Sequence, residues 1–208
     1  MTDNAPMNRP LALIPYLLLA AFVAAGTLWY LGDLRAHHGV ASVATGEAVT
    51  LGGPFALTDQ NQMLRTEKDF RGKYTLVFFG YTYCPDVCPA TLAIMAAALD
   101  KMGSRSDRIV PIFITVDPKR DTPDKIKSYL ASFGTRFVGL TGAPDAIANV
   151  AKEYRVYYKE HPAENGGQYT VDHSGVVYLM DPNGKFIANY SLDTSPDMLA
   201  ADLLKRLS

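Results

Sequence analysis

The chain has 208 residues, enough for one domain with an appendage. Its 20 Lys+Arg against 21 Asp+Glu leave a formal net charge of -1, which excludes the basic footprint of a nucleic-acid binder and an acidic tail. With 48% hydrophobic and 20% charged residues, wholesale disorder is excluded too.

After an N-terminal tail at residues 1–10, the 21 residues from Leu11 to Leu31 carry no charge. As a helix they extend about 32 Å, against a bilayer core of about 30 Å. Tyr16 lies near one end and Trp29 and Tyr30 at the other, where amphipathic rings prefer the interface. A cleaved signal peptide is the alternative, but its apolar region is usually shorter. The reading is therefore one N-terminal transmembrane helix over 11–31, leaning by charge to a cytoplasmic N-terminus. Residues 32–46 form a small-residue, polar tether in which His37 and His38 are hydrated. Residues 47–208 form the outer domain, which holds 18 of the basic and 19 of the acidic residues. Its charge points to no particular partner.

Within it, Tyr74–Gly80 reads as a buried strand. A cysteine-bearing loop follows, then a helix whose first residue is expected at Pro89, ending at Met102 before Gly103. Ile109–Val116 is a second buried strand. Thr122 and Pro123 start a helix running to about Phe133, Phe137–Leu140 is a short strand, and Pro144 opens a helix to about Tyr154. Val156–Lys159 and Gln168–Val171 make a hairpin around the polar turn Glu160–Gly167. Val176–Met180 and Phe186–Tyr190 flank Asp181-Pro182-Asn183-Gly184, a strong turn. Ser195 and Pro196 cap and open the last helix. The order implies a mixed sheet with helices on both faces.

Cys84 and Cys88, the only cysteines, stand where a central strand gives way to a helix. Unpaired N–H groups and the dipole at a helix start favour thiolate, the form that binds soft metals and attacks disulfides. A mere staple is the weaker reading, because closing so small a loop is worth only about 2 kcal/mol. Of the histidines, His161 belongs to the polar turn. His173 immediately precedes a late strand, and in a thioredoxin-type sheet that loop packs beside the cysteines. Two thiolates and an imidazole suit Cu(I), and the nitrogen also permits Cu(II). A closed zinc site wants a fourth protein ligand, although an open zinc site with water fits the same donors. Asp86, between the cysteines, is a candidate weak extra ligand or tuner of thiol acidity, with an exposed loop carboxylate the alternative. Asp117 and Asp172 are candidates to orient the site from outside the ligand set, with turn capping the alternative for Asp117.

Taken together, FFGYTYCPDVCP, FITVDPKRDTP, FVGLTG and VDHSGVVYLMDPNGKF resemble the Sco/SenC family of copper-binding, thioredoxin-like proteins from about Gly53 to Leu207. The resemblance implies a thioredoxin-like mixed sheet flanked by helices, a membrane helix, and copper held by Cys84, Cys88 and His173. It also implies maturation of the copper A centre of cytochrome c oxidase. The partners so implied are the membrane, the oxidase subunit that carries copper, a copper donor and a thiol reductant. With no long Arg/Ser-rich presequence before the anchor, the expected setting is a bacterial inner membrane with the C-terminal domain in the periplasm. Copper delivery needs no chemical turnover. The alternative is a thiol–disulfide oxidoreductase using Cys84 and Cys88 as its redox pair, against which stand the C-x-x-x-C spacing and the replacement of the usual proline before the late strand by His173-Ser174. A peroxidase fits less well, since Thr82 precedes Cys84 by two positions rather than three.

Overall fold

The computed structural model describes Thr27, residues 50–163 and residues 167–207. Apart from Thr27, the expected tail, anchor and tether lie outside the described residues. Among the described residues, no helix is long and apolar enough to cross a membrane. The account that follows concerns the compact unit Val49–Ser208.

Three parallel strands make its centre. β3 (Tyr74–Gly80) lies beside β4 (Ile109–Thr115), and β4 beside β5 (Val138–Thr141). Such strands are covered on both faces, which is why β3 and β4 read as continuous apolar runs. Antiparallel strands extend the sheet. β1 (Ala56–Asp59) and β2 (Leu64–Thr66) lie beyond β5, and β8 (Val177–Met180) and β9 (Phe186–Tyr190) beyond β3. The order across the seven strands is β2-β1-β5-β4-β3-β8-β9. β6 (Tyr158–His161) and β7 (Thr170–His173) form a separate two-stranded ribbon.

Alternation along the central strands assigns each face its cover. Phe78 and Phe113 meet on one face, where Tyr129 of α2 (Pro123–Leu130) packs on Phe113. The same face receives α1 (Val87–Met102), and α4 (Pro196–Arg206) lies along α1. On the other face Phe79 meets Tyr178 edge-on and packs at a tilt on Tyr154, the residue that ends α3 (Pro144–Glu153). Phe78, Phe79 and Phe113 are fully buried. Each contributes roughly 1.5–3 kcal/mol by leaving water.

Several local expectations hold. Thr122 and Ser195 accept hydrogen bonds from the backbone N–H groups of Lys125 and Met198, each followed by proline at the helix start. Asp181 Oδ1 accepts from the N–H groups of Asn183 and Lys185, and Gly184 takes φ 73°, closing the β8–β9 turn.

Other expectations shift. α1 begins at Val87, so Pro89 is its third residue rather than its first. Proline is tolerated there because a first-turn N–H has no helical partner to lose. The ribbon is displaced by two residues toward the C-terminus, which puts His173 inside β7 instead of in a loop after it. Val156 is drawn out of the ribbon because it is buried and its N–H closes the end of α3 on Ala151. Strands β1 and β2 carry neither a Gly/Pro turn nor a clear apolar alternation. Their turn is tied by Asp59, whose carboxylate accepts from the N–H groups of Asn61 and Met63 and from Arg65 Nε.

α2 packs tightly over Gly139 of β5, where an added Cβ would lie 2.1 Å from Ile126 Cγ2 and 2.6 Å from Leu130 Cδ1. Gly139→Ala should therefore destabilise the unit by about 1–3 kcal/mol through overpacking. Adding Ile126→Val or Ile126→Ala should recover part of that loss. Urea denaturation of the single and double variants measures both effects.

Candidate metal centre

β3 ends at Gly80, and the chain then turns through Tyr81, Thr82 and Tyr83 to the first cysteine. The turn is braced by Asp121, whose side chain accepts from the Thr82 N–H at 3.0 Å, the Thr82 hydroxyl at 2.6 Å and the Thr115 hydroxyl at 2.6 Å. The Asp121 carbonyl accepts from the Thr141 hydroxyl at 2.9 Å, so one buried residue joins the loop to the ends of β4 and β5. Cys84 is half-buried and Cys88, in the first turn of α1, is fully buried; both are free thiols. Gly80 permits this, since a Cβ on it would lie 2.7 Å from Cys88 Sγ.

His173 arrives from the far end of β7. Its Nε2 is 3.2 Å from Cys88 Sγ, and its Nδ1 donates to the Ser174 carbonyl at 3.3 Å. With Nδ1 so engaged, Nε2 is the ring nitrogen turned to the sulfurs and the one that would ligate. Phe78 and Tyr81 present ring contacts to the imidazole, each with centroids 5.9 Å away. The ligand atoms of Cys84, Cys88 and His173 all lie within 4.8 Å of one another. Donors held about 2.0–2.3 Å from a common ion lie up to roughly 4.6 Å apart, so the three need draw together only slightly to share one. Among the described residues this is the one such group of His, Cys, Asp and Glu side chains.

The two sulfurs differ in acidity. The Cys88 S–H donates toward Cys84, and this, with His173 and the N–H groups of Cys88 and Asp86, pulls the Cys84 thiol far below its ordinary range against the opposing effect of burial. Cys88 is pushed up, first by that same bond to Cys84, then by burial and by the neighbouring charge. The pair thus loses its first proton at Cys84, the sulfur that solvent can reach.

The remaining candidates divide. Asp86 is exposed at the start of α1 and its side chain makes no cap hydrogen bond. Asp172 points away from the sulfurs and pairs with His161, Nε2 to Oδ2 2.8 Å. Asp117 is buried, and its side chain does not cap a turn. It accepts instead from Arg120 Nε and, at 2.7 Å, from the Tyr169 hydroxyl. The surroundings missing from the sequence reading are Tyr81, Tyr83, Arg120, Asp121 and Tyr169. The alternation of Tyr81 and Tyr83 before Cys84, and the three-residue step from Asp117 to Arg120, were the available signals.

Comparison with known proteins agrees with this geometry. The SCO1/SenC family model matches residues 43–208. The chain belongs to the SCO1/SenC family. A SCO1 homologue of Arabidopsis thaliana named as mitochondrial is 37% identical over 218 residues, covering 100% of this chain and 79% of that protein. Bradyrhizobium japonicum ScoI, solved with copper bound, is 49% identical with a TM-score of 0.70, over 76% of this chain and 99% of that one. Arabidopsis thaliana ScoI, also solved with copper bound, is 42% identical with a TM-score of 0.72, over 76% and 98%. The SCO1/SenC unit here thus has a thioredoxin-like α/β fold, a mixed sheet flanked by helices.

The unequal sulfurs give a pH test. In the reduced protein Cys84 should still be alkylated by iodoacetamide at about pH 6, where an ordinary thiol of pKa about 8.5 is under roughly 1% ionised. Cys88→Ala removes the bond that lowers Cys84 most, so the inflection of the rate–pH profile should climb toward the ordinary thiol range. Mass-spectrometric counting of modified cysteines across pH reads both.

Proposed function

We propose that this chain is a membrane-anchored copper metallochaperone, holding copper as cargo on Cys84, Cys88 and His173 for maturation of the copper A centre of cytochrome c oxidase. The observation that carries this is the grouping of two sulfurs and one imidazole nitrogen within 4.8 Å. Membership in a family with copper-bound structures at 49% and 42% identity supports copper as the metal. Two thiolates suit Cu(I), and the imidazole extends the set to Cu(II). Cys84 is half-buried, so it is the side from which a donor or a client can exchange ligands. Delivery would then exchange metal–ligand bonds only, with no covalent bond of the chain made or broken. Oxidation of the pair to a disulfide removes both sulfur ligands, so a thiol reductant belongs to the cycle.

The segment 11–31 is the proposed anchor, 1–10 its tail, 32–46 the tether and 47–208 the copper domain. The uncharged length of 11–31 supports a single pass, with the domain outside a bacterial inner membrane. The partners are a copper donor and the copper-bearing oxidase subunit.

A second reading is favoured by the acid-shifted, half-buried Cys84. As a thiol–disulfide reductase, its thiolate attacks a client disulfide, and Cys88 then displaces the client thiol. The client disulfide gains two electrons and the Cys84–Cys88 pair loses them. His173 carries no electrons in that chemistry and acts only by helping to hold Cys84 ionised.

Anaerobic titration of the full chain with Cu(I), Cu(II) and zinc, before and after oxidation, separates the readings. Tight copper binding is expected only in the reduced form. Cys84→Ala and Cys88→Ala should each weaken it for both copper ions, and His173→Ala for Cu(II), by more than the roughly 10–100-fold typical of losing an outer hydrogen-bond partner. Cu(II) affinity undiminished in His173→Ala would sink the ligand set, and client reduction that survives His173→Ala would establish the second reading.

A further inference from the structure

β6 and β7 hydrogen-bond to one another and not to the seven-stranded sheet, so the position of His173 depends on side-chain grips. Most of these converge on Arg120, in the segment between β4 and α2. Its Nη1 donates to the Tyr169 carbonyl at 2.8 Å, and its guanidinium carbon lies 3.6 Å from the centre of the Tyr169 ring. Its Nε binds Asp117, whose other carboxylate oxygen accepts from the Tyr169 hydroxyl. Tyr169 is thereby held at carbonyl, ring and hydroxyl, one residue before β7 begins.

The same guanidinium faces the cysteine loop. It lies 4.8 Å from the ring centre of Tyr83, which adjoins Cys84, and 5.6 Å from that of Tyr81. The Tyr81 hydroxyl accepts from the Val171 N–H at 3.4 Å, and its ring meets His173 edge-on. A cation between aromatic faces is attracted to each, and more strongly when shielded from water; here the Arg120 side chain is only 13% exposed. Lys119, by contrast, ties the ribbon through an exposed pair with Glu160, a weaker kind of tie.

We propose that Arg120, acting with Asp117 through Tyr169, is a positioning residue that sets the distance between His173 and the cysteine pair and so governs which oxidation state of copper the site accepts. This rests on the copper reading of the site. The two sulfurs sit on α1 and its preceding loop, which Asp121 braces from outside the ribbon, and two thiolates alone satisfy Cu(I). Cu(II) needs the nitrogen donor as well. Loosening the grip therefore removes the imidazole selectively.

The test uses the reduced full chain and two variants. Arg120→Met with Asp117→Asn removes the cation without stranding a buried carboxylate, and Tyr169→Phe removes only the hydroxyl. Cu(I) and Cu(II) affinities are measured by competition, Cu(II)–nitrogen coupling by electron paramagnetic resonance, and backbone amide exchange over residues 170–173. The double variant should lose about 10–100-fold in Cu(II) affinity, with weakened nitrogen coupling and faster exchange, while Cu(I) affinity changes by under about threefold. Tyr169→Phe should move in the same direction by less. Equal losses for both ions, or wild-type Cu(II) affinity and coupling in both variants, would overturn the proposal. His173→Ala in parallel tells the two failures apart. If it loses Cu(II) while the variants do not, only the role of Arg120 falls; if it too binds Cu(II) like wild type, the copper reading falls with it.

Discussion

The 3.2 Å contact between Cys88 Sγ and His173 Nε2 joins residues 85 apart in the chain, and the surrounding structure is arranged so that it can form. On the sulfur side the requirement is space. β3 must end in a residue without a side chain, because α1 starts directly above it, and Gly80 meets that need. On the nitrogen side the requirement is direction. The Ser174 carbonyl accepts a hydrogen bond from Nδ1, and Phe78 and Tyr81 fix the plane of the ring. Neither side alone yields a set of three donors.

Two buried aspartates, Asp117 and Asp121, support opposite halves of this arrangement by different means. Asp117 has a cation and a tyrosine hydroxyl for partners and holds the ribbon. Asp121 has only hydroxyl and amide donors, and burial raises its pKa in spite of them. It holds the cysteine loop. Satisfying a buried carboxylate entirely with hydrogen bonds is costly in desolvation and geometrically exacting, because its donors must converge from separate segments, here Thr82 of the cysteine loop and Thr115 at the end of β4.

The parallel core was legible because buried strands such as Tyr74–Gly80 and Ile109–Thr115 advertise themselves as unbroken apolar runs. The β8–β9 turn and the starts of α2 and α4 were legible for a similar reason: capping and turn chemistry is local. The grouping of Cys84, Cys88 and His173 could be anticipated from topology and from motif resemblance together. β1 and β2 could not, since their turn depends on one Asp59 side chain and not on Gly or Pro. The register of the ribbon was hidden because Val156 is claimed by the end of α3, a tertiary effect. Arg120 was hidden for the deepest reason. Its partners Tyr81, Tyr83 and Tyr169 come from two distant segments, and nothing near Arg120 in sequence announces them.

The separateness of the β6–β7 ribbon has one more consequence. A two-stranded ribbon is marginal by itself, and proteins open first where structure shares least with the core. Here that element carries the imidazole, while the sulfurs ride on α1 and the loop leading into it. Swinging the ribbon out costs a few side-chain grips and leaves the seven-stranded sheet untouched. The three donors therefore have a built-in departure sequence, nitrogen before sulfur.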